Sequence, residues 1–246
     1  MAGRRGDPVT ESEAARPPDA TTGAALLRLV EVMDTLRVNC PWDARQTHQS
    51  LAPYLLEECY EALEALESGD ESALRDELGD VLLQVVFHAR VAAERTDGTG
   101  FDIDDVATGI VEKLIRRHPH VFGDVQVSGP EDVKRNWDAI KAAERGGGDA
   151  LPTALESVPF GQPALSLAAQ LQRRAERSGA PAELANLPVG DGRGPEGVSE
   201  IGAELFSLVA RARAAGLDPE MELRAAARSY RDQVQHWAEK QHDGLA

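Results

Sequence analysis

Apolar residues recur at helical spacing along most of this 246-residue chain, and no segment has the strict alternation of a β-strand. Within residues 24–38, for example, Leu26, Leu29, Val30 and Met33 follow one another at i, i+3, i+4 and i+7, which is the pattern of one buried helix face. Alanine and leucine are abundant, and only 4% of the residues are aromatic. Because alanine and leucine are good helix formers, the sequence predicts an all-α fold, a bundle of helices.

Glycine, proline and capping residues divide this pattern into separate helices. We expect helices over residues 24–38, 53–67 and 72–94, one from the capping Asp102 to before Pro119, one opened by Pro130, one over 163–178 and two within 198–239. The sequence predicts a disordered tail over residues 1–22, a helical domain over 23–148 and a second one over 149–246. A Gly/Pro-rich linker near 187–197 interrupts the second domain.

The chain is strongly acidic, with a formal net charge of -16. This charge repels nucleic-acid phosphates and argues against an extended nucleic-acid-binding surface. A small polyanionic ligand would therefore need a local basic cluster or a bridging cation. No apolar run reaches transmembrane length, and the N-terminal residues lack the apolar stretch of a signal peptide. We expect a cytoplasmic protein without a membrane partner.

The helix predicted over residues 53–67 carries a stripe of carboxylates. Its predicted buried side consists of apolar residues, namely Leu55, Leu56, Cys59, Leu63 and Leu66. The opposite side carries Glu57, Glu58, Glu61 and Glu64. A charged stripe of this kind is, by itself, typical of a solvated helix face.

In the next helix, carboxylates border a stretch that should be buried. Residues 81–87, VLLQVVF, are apolar all round except for Gln84, and Glu77 and Asp80 stand at the entrance to that stretch. Their i, i+3 spacing puts both on one side of the helix. Ionised carboxylates beside a core helix are costly unless they are paired or bound to a metal.

A short turn between these two helices predicts an antiparallel hairpin, in which Glu58 and Glu61 face Glu77 and Asp80. Four converging carboxylates would raise one another's pKa. A hard divalent cation relieves the repulsion, and Mg²⁺ takes oxygen ligands and accompanies nucleotide phosphates. We therefore expect Mg²⁺ as the cofactor, with Mn²⁺ as a substitute.

Basic and aromatic residues elsewhere can complete a nucleotide site. Lys113 and Arg117 are spaced i, i+4, so they share a helix face and can grip phosphate oxygens. Basic residues in a last helical turn also suit the helix dipole, which is a purely structural alternative. Trp42 and Trp137 can stack on a base, although most tryptophans are core anchors.

Other nucleotide and metal signatures are missing from the sequence. It has no GxxxxGK phosphate loop, no GxGxxG after a strand and no HExxH. A di-iron site is disfavoured because Glu61 and Asp80 stand where a Glu-x-x-His motif would need histidine.

Taken together, these segments resemble the MazG family of nucleoside triphosphate pyrophosphohydrolases over residues 24–145. The motifs that carry the resemblance are CPWD at 40–43, EExxE at 57–61, ExxD at 77–80 and RRHPHVF at 116–122. The resemblance implies an all-α fold of the NTP pyrophosphatase type that assembles as a homodimer or larger. It also implies Mg²⁺-dependent cleavage between the α and β phosphates, which releases the nucleoside monophosphate and pyrophosphate.

The resemblance further implies roles for single residues in a catalytic domain over 23–148. The implied metal ligands are four carboxylates, those of Glu58, Glu61, Glu77 and Asp80. Glu57 is implied to orient or deprotonate the attacking water. Lys113 and Arg117 are implied to bind the phosphates, and Trp137 to lie near the nucleotide.

The second helical domain echoes the first without its site. Residues 77–90 and 200–213 agree at six of fourteen positions, through a decayed duplication or through chance similarity of Ala/Leu-rich helices. Ala203 stands where the first copy has Asp80, the EExxE helix has no counterpart, and uncharged residues replace the basic pair. We predict a degenerate, non-catalytic repeat that is kept for packing or assembly.

The leading interpretation is an enzyme of nucleotide-pool housekeeping that hydrolyses nucleoside triphosphates, ordinary or damaged, ribo or deoxy. One alternative is a non-catalytic helical module of the same fold that binds a nucleotide or a protein. Another is a narrower pyrophosphohydrolase specificity, such as dUTP or a damaged nucleotide. No residue has an unambiguous base-reading role, so the sequence leaves the base open.

Overall fold

The computed structural model describes residues 23–144, 155–185 and 198–243, and the regular structure within these ranges is entirely helical. The all-α prediction is therefore confirmed for the described part of the chain. The predicted tail over 1–22 and the linker near 187–197 lie outside the described residues. No helix among the described residues is long and apolar enough to cross a membrane.

The chain forms two compact units that divide between Gln126 and Val127. The helices are α1 (Ala24–Asn39), α2 (His48–Ser68), α3 (Glu71–Ala92), α4 (Ile103–Arg117), α5 (Pro119–Phe122), α6 (Pro130–Glu144), α7 (Ala164–Arg177), α8 (Glu200–Ala214) and α9 (Pro219–Asp243). Helices α1–α5 belong to the first unit and α6–α9 to the second. The sequence pattern, in contrast, groups α6 with the first domain.

An antiparallel hairpin of α2 and α3 organises the first unit. Gly69 and Asp70 join the two helices. Gly69 ends α2 with a φ of 73°, a left-handed conformation that glycine adopts without strain. The Asp70 side chain caps α3 by accepting hydrogen bonds from the backbone N–H groups of Ser72 and Ala73, both at 3.0 Å. This capped two-residue turn forms the hairpin that the sequence predicts.

The core of the first unit lies towards the open end of this hairpin, away from the turn. It is built from Met33 of α1, Leu51 of α2, and Val86 and Phe87 of α3. Apolar side chains pack against it from the same helices and from α4, namely Leu29, Val30, Leu83, Val91 and Ile103. The carboxylates of the hairpin lie nearer the turn, outside this core.

The start of α2 differs from the prediction. The helix begins at His48 rather than near Pro53, because Thr47 and Ser50 form a capping box. The Thr47 Oγ1 accepts from the Ser50 N–H at 3.2 Å, and the Ser50 Oγ accepts from the Thr47 N–H at 2.9 Å. Pro53 thus lies inside the helix, where a proline removes one backbone hydrogen bond.

The predicted buried side of α2 is wrong for three of its five residues, whereas Leu55 and Leu63 are half-buried. Leu56 and Leu66 are 57% and 56% exposed, and Cys59 is exposed as well. The covered face of α2 instead carries buried or half-buried residues, namely Leu51, Leu55, Glu58, Ala62 and Ala65. The structure therefore turns Glu58 towards the α2–α3 contact and leaves a leucine stripe of α2 open.

In the second unit, α7 and α8 contact each other through a buried amide. Gln172 of α7 is 5% exposed. Its Nε2 donates to the Phe206 carbonyl oxygen at 2.9 Å, and its Oε1 accepts from Arg213 at 3.3 Å. Ala203 and Val209 are the buried residues of α8.

Candidate active site

Three carboxylates converge where the two arms of the hairpin meet. Glu58 of α2 and Glu77 and Asp80 of α3 each offer an oxygen, and these oxygens all lie within 4.8 Å of one another. Glu61, one turn further along α2, lies close enough to Glu77 for its negative charge to raise the pKa of that carboxyl group. The structure thus brings Glu58, Glu77 and Asp80 together across the hairpin and places Glu61 beside Glu77. The role of all four as metal ligands stays a prediction.

Burial and mutual repulsion raise the pKa of two of these carboxyl groups. For Glu58 the largest cause is desolvation, followed by the negative charges of Asp80, Glu61 and Glu57. For Glu77 it is again desolvation, followed by the charges of Glu61 and Asp80. In both groups the ionised form is disfavoured. A bound cation would offset this effect, because it would pair with the negative charges.

The chemistry of this cluster suits a hard divalent cation. All the donors are carboxylate oxygens, which Mg²⁺ and Mn²⁺ prefer to nitrogen or sulfur. Glu58 and Glu77 are half-buried, whereas Asp80 is exposed, so one side stays open to water and to a phosphate oxygen. Within the described ranges, this is the only set of three or more His, Cys, Asp or Glu side chains that can converge on one ion.

Glu57 lies beside the cluster without belonging to it. Its side chain is exposed on α2, and its charge contributes to the raised pKa of Glu58. This position is compatible with the predicted handling of a water molecule at the edge of the cluster, and that role stays a prediction.

The two predicted phosphate-binding residues lie on α4, which packs against α3. The cap by Asp102 is confirmed, since its side chain accepts from the N–H groups of Asp104 and Asp105. Lys113 is exposed and Arg117 is half-buried, one helical turn apart on the same face. Their contact with phosphate remains a prediction.

The two predicted aromatic contacts lie in different units. Trp42 is 50% exposed and meets Tyr54 and Phe87 edge to face, with ring centroids 5.9 and 6.4 Å away. Its indole is therefore anchored and still open to solvent. Trp137 lies on α6 of the second unit, with the Lys141 ammonium 5.2 Å from its ring centre.

Arg37 holds the segment that carries Trp42, a role that sequence reasoning missed. Its guanidinium makes two hydrogen bonds to the Glu94 carboxylate, at 2.8 and 2.7 Å. It also donates to the backbone carbonyl oxygens of Asp43 and, at 3.0 Å, of Gln46. The Arg37 side chain is 9% exposed. Its guanidinium therefore links α1 both to Glu94, just after α3, and to the turn that follows Trp42.

Two further polar side chains continue along α3 beyond Asp80. Gln84 is 6% exposed, and its Oε1 has no hydrogen-bond partner. The Nδ1 atoms of His88 and His48 are 2.8 Å apart, and their rings are stacked. Burial, and then the charge of His48, lowers the pKa of His88. Asp80, Gln84 and His88 are spaced four residues apart, and this spacing could have predicted that they share one helix face.

The positions of the second unit that the predicted repeat aligns with the first site carry different side chains. Ala203, opposite Asp80 in the repeat, is 3% exposed and packs as a small core residue. Ser229 and Gln233, opposite the basic pair, hydrogen-bond to each other at 3.2 Å. The predicted lack of catalysis in this unit stays a prediction.

Comparison with known proteins places the carboxylates inside a recognised domain. The model of the "MazG nucleotide pyrophosphohydrolase domain" matches residues 46–122. That segment covers α2, α3 and α4 and therefore includes Glu58, Glu61, Glu77 and Asp80.

Similar proteins extend the match beyond that domain. The chain is 38% identical to the nucleoside triphosphate pyrophosphohydrolase/pyrophosphatase MazG of Thermotoga maritima, over 91% of this chain and 89% of that protein. It is 49% identical to an uncharacterized 26.1 kDa protein of Streptomyces cacaoi, over 86% and 82% of the two chains. It is 44% identical to the nucleoside triphosphate pyrophosphohydrolase of Escherichia coli K12, over 62% and 57%. The chain therefore belongs to the MazG family.

Proposed function

We propose that this protein hydrolyses nucleoside triphosphates to the monophosphate and pyrophosphate, in a Mg²⁺-dependent reaction at the hairpin of its first unit. The observation that carries the proposal is the convergence of Glu58, Glu77 and Asp80 within 4.8 Å, inside the segment that matches the MazG domain. The names of the relatives support the reaction type. The geometry supports the place where it occurs.

In this proposal Glu58, Glu61, Glu77 and Asp80 hold the cation. Bound Mg²⁺ would neutralise phosphate charge and make the phosphorus more susceptible to attack. The chain's own contribution is to hold four carboxylates close together, which raises the pKa of Glu58 and Glu77 and favours a bound cation over unpaired negative charges. The exposed side of Asp80 leaves room for the triphosphate.

The remaining residues bind and orient the reactants. Glu57 would align a water molecule and accept its proton as the water attacks the α phosphate. Lys113 and Arg117 would hold the phosphates that leave as pyrophosphate. The open face of Trp42 would take the base, while Tyr54 and Phe87 hold its edge.

We also propose that the first unit forms a homodimer through its uncovered apolar faces. On α2, Leu56 and Leu66 are 57% and 56% exposed, and on α4 Ile110 and Leu114 are 46% and 44% exposed. Apolar stripes of this kind on two helices of one unit are typical of an interface. Sedimentation should give a dimer for the parent, and a shift to monomer for Leu56→Glu; a monomeric parent would refute the assembly.

The test of the catalytic proposal is pyrophosphate release, measured with Mg²⁺ and with excess chelator across ribo, deoxy and damaged nucleoside triphosphates. We expect release that requires Mg²⁺ or Mn²⁺ and stops in chelator. Mn²⁺ binding can be measured by electron paramagnetic resonance. We expect this binding to be saturable and to be reversed by an excess of Mg²⁺. Nucleotide binding without turnover across the whole panel would favour a binding module instead.

A further inference from the structure

Gln84 is a buried polar side chain that the protein itself does not satisfy. It is 6% exposed, and its Oε1 is buried without a hydrogen-bond partner. Leaving a buried acceptor unpaired costs about 1–3 kcal/mol of stability. An apolar side chain of similar size at this position would avoid that cost. The packing of the unit therefore does not explain why an amide is present here.

Gln172 shows how this protein treats a buried amide that serves packing. It is 5% exposed, like Gln84. Its Nε2 and Oε1 both have partners, the Phe206 carbonyl oxygen and the Arg213 guanidinium. These two residues are the buried polar side chains of the described ranges, and only the one in the first unit has an orphaned oxygen.

Gln84 lies on the carboxylate side of α3. It follows Asp80 by four positions and Glu77 by seven, which places all three side chains on one helix face. The four residues from Asp80 to Gln84 correspond to about 6 Å along the helix axis. The amide therefore stands between the carboxylate cluster and the core residue Phe87, on the inner side of the candidate site.

We infer that Gln84 is a further substrate-contact residue, whose Oε1 accepts a hydrogen bond from a donor that arrives with the nucleotide. The inference rests on the proposed function of the carboxylate cluster. Ionised phosphate oxygens have no proton to donate, so they cannot be the partner. The donor is an O–H or N–H group, supplied by the sugar or base of the nucleoside or by a water held on the cation.

Two matched substitutions separate this role from packing. Gln84→Met and Gln172→Met each replace an amide by a thioether chain of similar length that forms at most weak hydrogen bonds. In chelator, we expect the thermal midpoint of Gln84→Met to equal or exceed that of the parent, because the orphaned acceptor is gone. Gln172→Met should have a lower midpoint, because the Phe206 carbonyl and Arg213 lose their partner.

Substrate binding should respond in the opposite order. With Mg²⁺ and a non-hydrolysable α,β-methylene nucleoside triphosphate, calorimetry should give a Kd about tenfold higher for Gln84→Met, which is the effect of about 1.4 kcal/mol. The Kd of Gln172→Met should match that of the parent. A variant that is at least as stable as the parent and binds substrate less tightly cannot be explained by a structural role alone.

Inorganic triphosphate, which has no sugar or base, identifies the donor. Weaker binding of the analogue alone by Gln84→Met would assign the donor to the nucleoside, and weaker binding of both ligands would assign it to cation-held water. Unchanged affinity for both, or a midpoint that falls as in Gln172→Met, would overturn the inference. A parent that binds neither ligand in Mg²⁺ would instead overturn the proposed function.

Discussion

Asp80 on α3 approaches Glu58 on α2 with carboxylate oxygens no more than 4.8 Å apart, and after desolvation its charge is the largest cause of the raised pKa of Glu58. Without a cation, the two groups oppose each other across the hairpin. With a cation, the same proximity becomes a set of ligands. The stability of this hairpin and the activity of the protein should therefore respond in opposite directions when one of the charges is removed.

Asp80→Asn tests this opposition. In chelator the variant should unfold at a higher temperature than the parent, because repulsion with Glu58 is lost. In Mg²⁺ the parent should gain stability and the variant should not. Turnover of the variant should fall by more than about 100-fold, since even outer partners of metal ligands contribute about 10- to 100-fold. Glu64→Gln, on the exposed side of α2, is the control and should change neither quantity.

His88 predicts how stability depends on pH. Burial and the neighbouring His48 lower its pKa from 6.5, so the unfolded chain binds more protons than the folded protein just below that pH. The free energy of unfolding should therefore decrease as the pH falls through about 6.5. His88→Gln should reduce this slope, measured by urea unfolding between pH 7 and 5.5, whereas His236→Gln, at an exposed site, should not. Equal slopes for all three proteins would contradict the prediction.

Arg37 should stabilise the fold and position Trp42. Arg37→Gln removes the bonds to Glu94 and to the backbone of the turn, so we expect it to lower the free energy of unfolding by about 1–3 kcal/mol. Its KM for nucleotide should rise more than its kcat falls. The control Arg28→Gln removes an exposed pair on the same helix and should leave stability and KM unchanged. A destabilised variant with the parent's KM would limit Arg37 to a structural role.

Lys113 and Arg117 should act on the substrate. Each change to Ala should reduce kcat/KM by about 10- to 100-fold, because a hydrogen bond to a charged group is worth about 1.5–3 kcal/mol, and should leave helix content unchanged. Arg116→Ala, on the neighbouring face of α4, is the matched control for charge. If all three variants hydrolyse nucleotide at the same rate, the basic pair only complements the helix dipole.

The hairpin and its carboxylates could be predicted because their signals are local. Glu77 and Asp80 border a buried stretch of one helix, Glu58 and Glu61 lie one turn apart on the other, and two residues join the helices. The contact face of α2 could not be predicted in this way. Helical periodicity identifies its leucine stripe, but only the partner helix decides which side is covered, and α3 meets the side of Ala62 and Ala65.

Residues whose partners are distant in the sequence were missed for a similar reason. Arg37 reads as an ordinary basic residue at the end of α1, because its partner Glu94 is known only once α3 is packed. Gln84 was noted as the polar exception in an apolar stretch, but its orphaned oxygen is a property of the packed unit. Such roles depend on tertiary contacts, and composition and spacing do not encode them.

We propose that catalysis belongs to the carboxylates of the first unit and not to their predicted counterparts in the second. In the predicted repeat Glu200 is the counterpart of Glu77, and of these two only Glu77 has other carboxylates converging on it among the described residues. The most direct test is the rate of Mg²⁺-dependent pyrophosphate release from a nucleoside triphosphate by Glu77→Ala and Glu200→Ala. We predict that Glu77→Ala eliminates release and that Glu200→Ala matches the parent, and the reverse result would contradict this account.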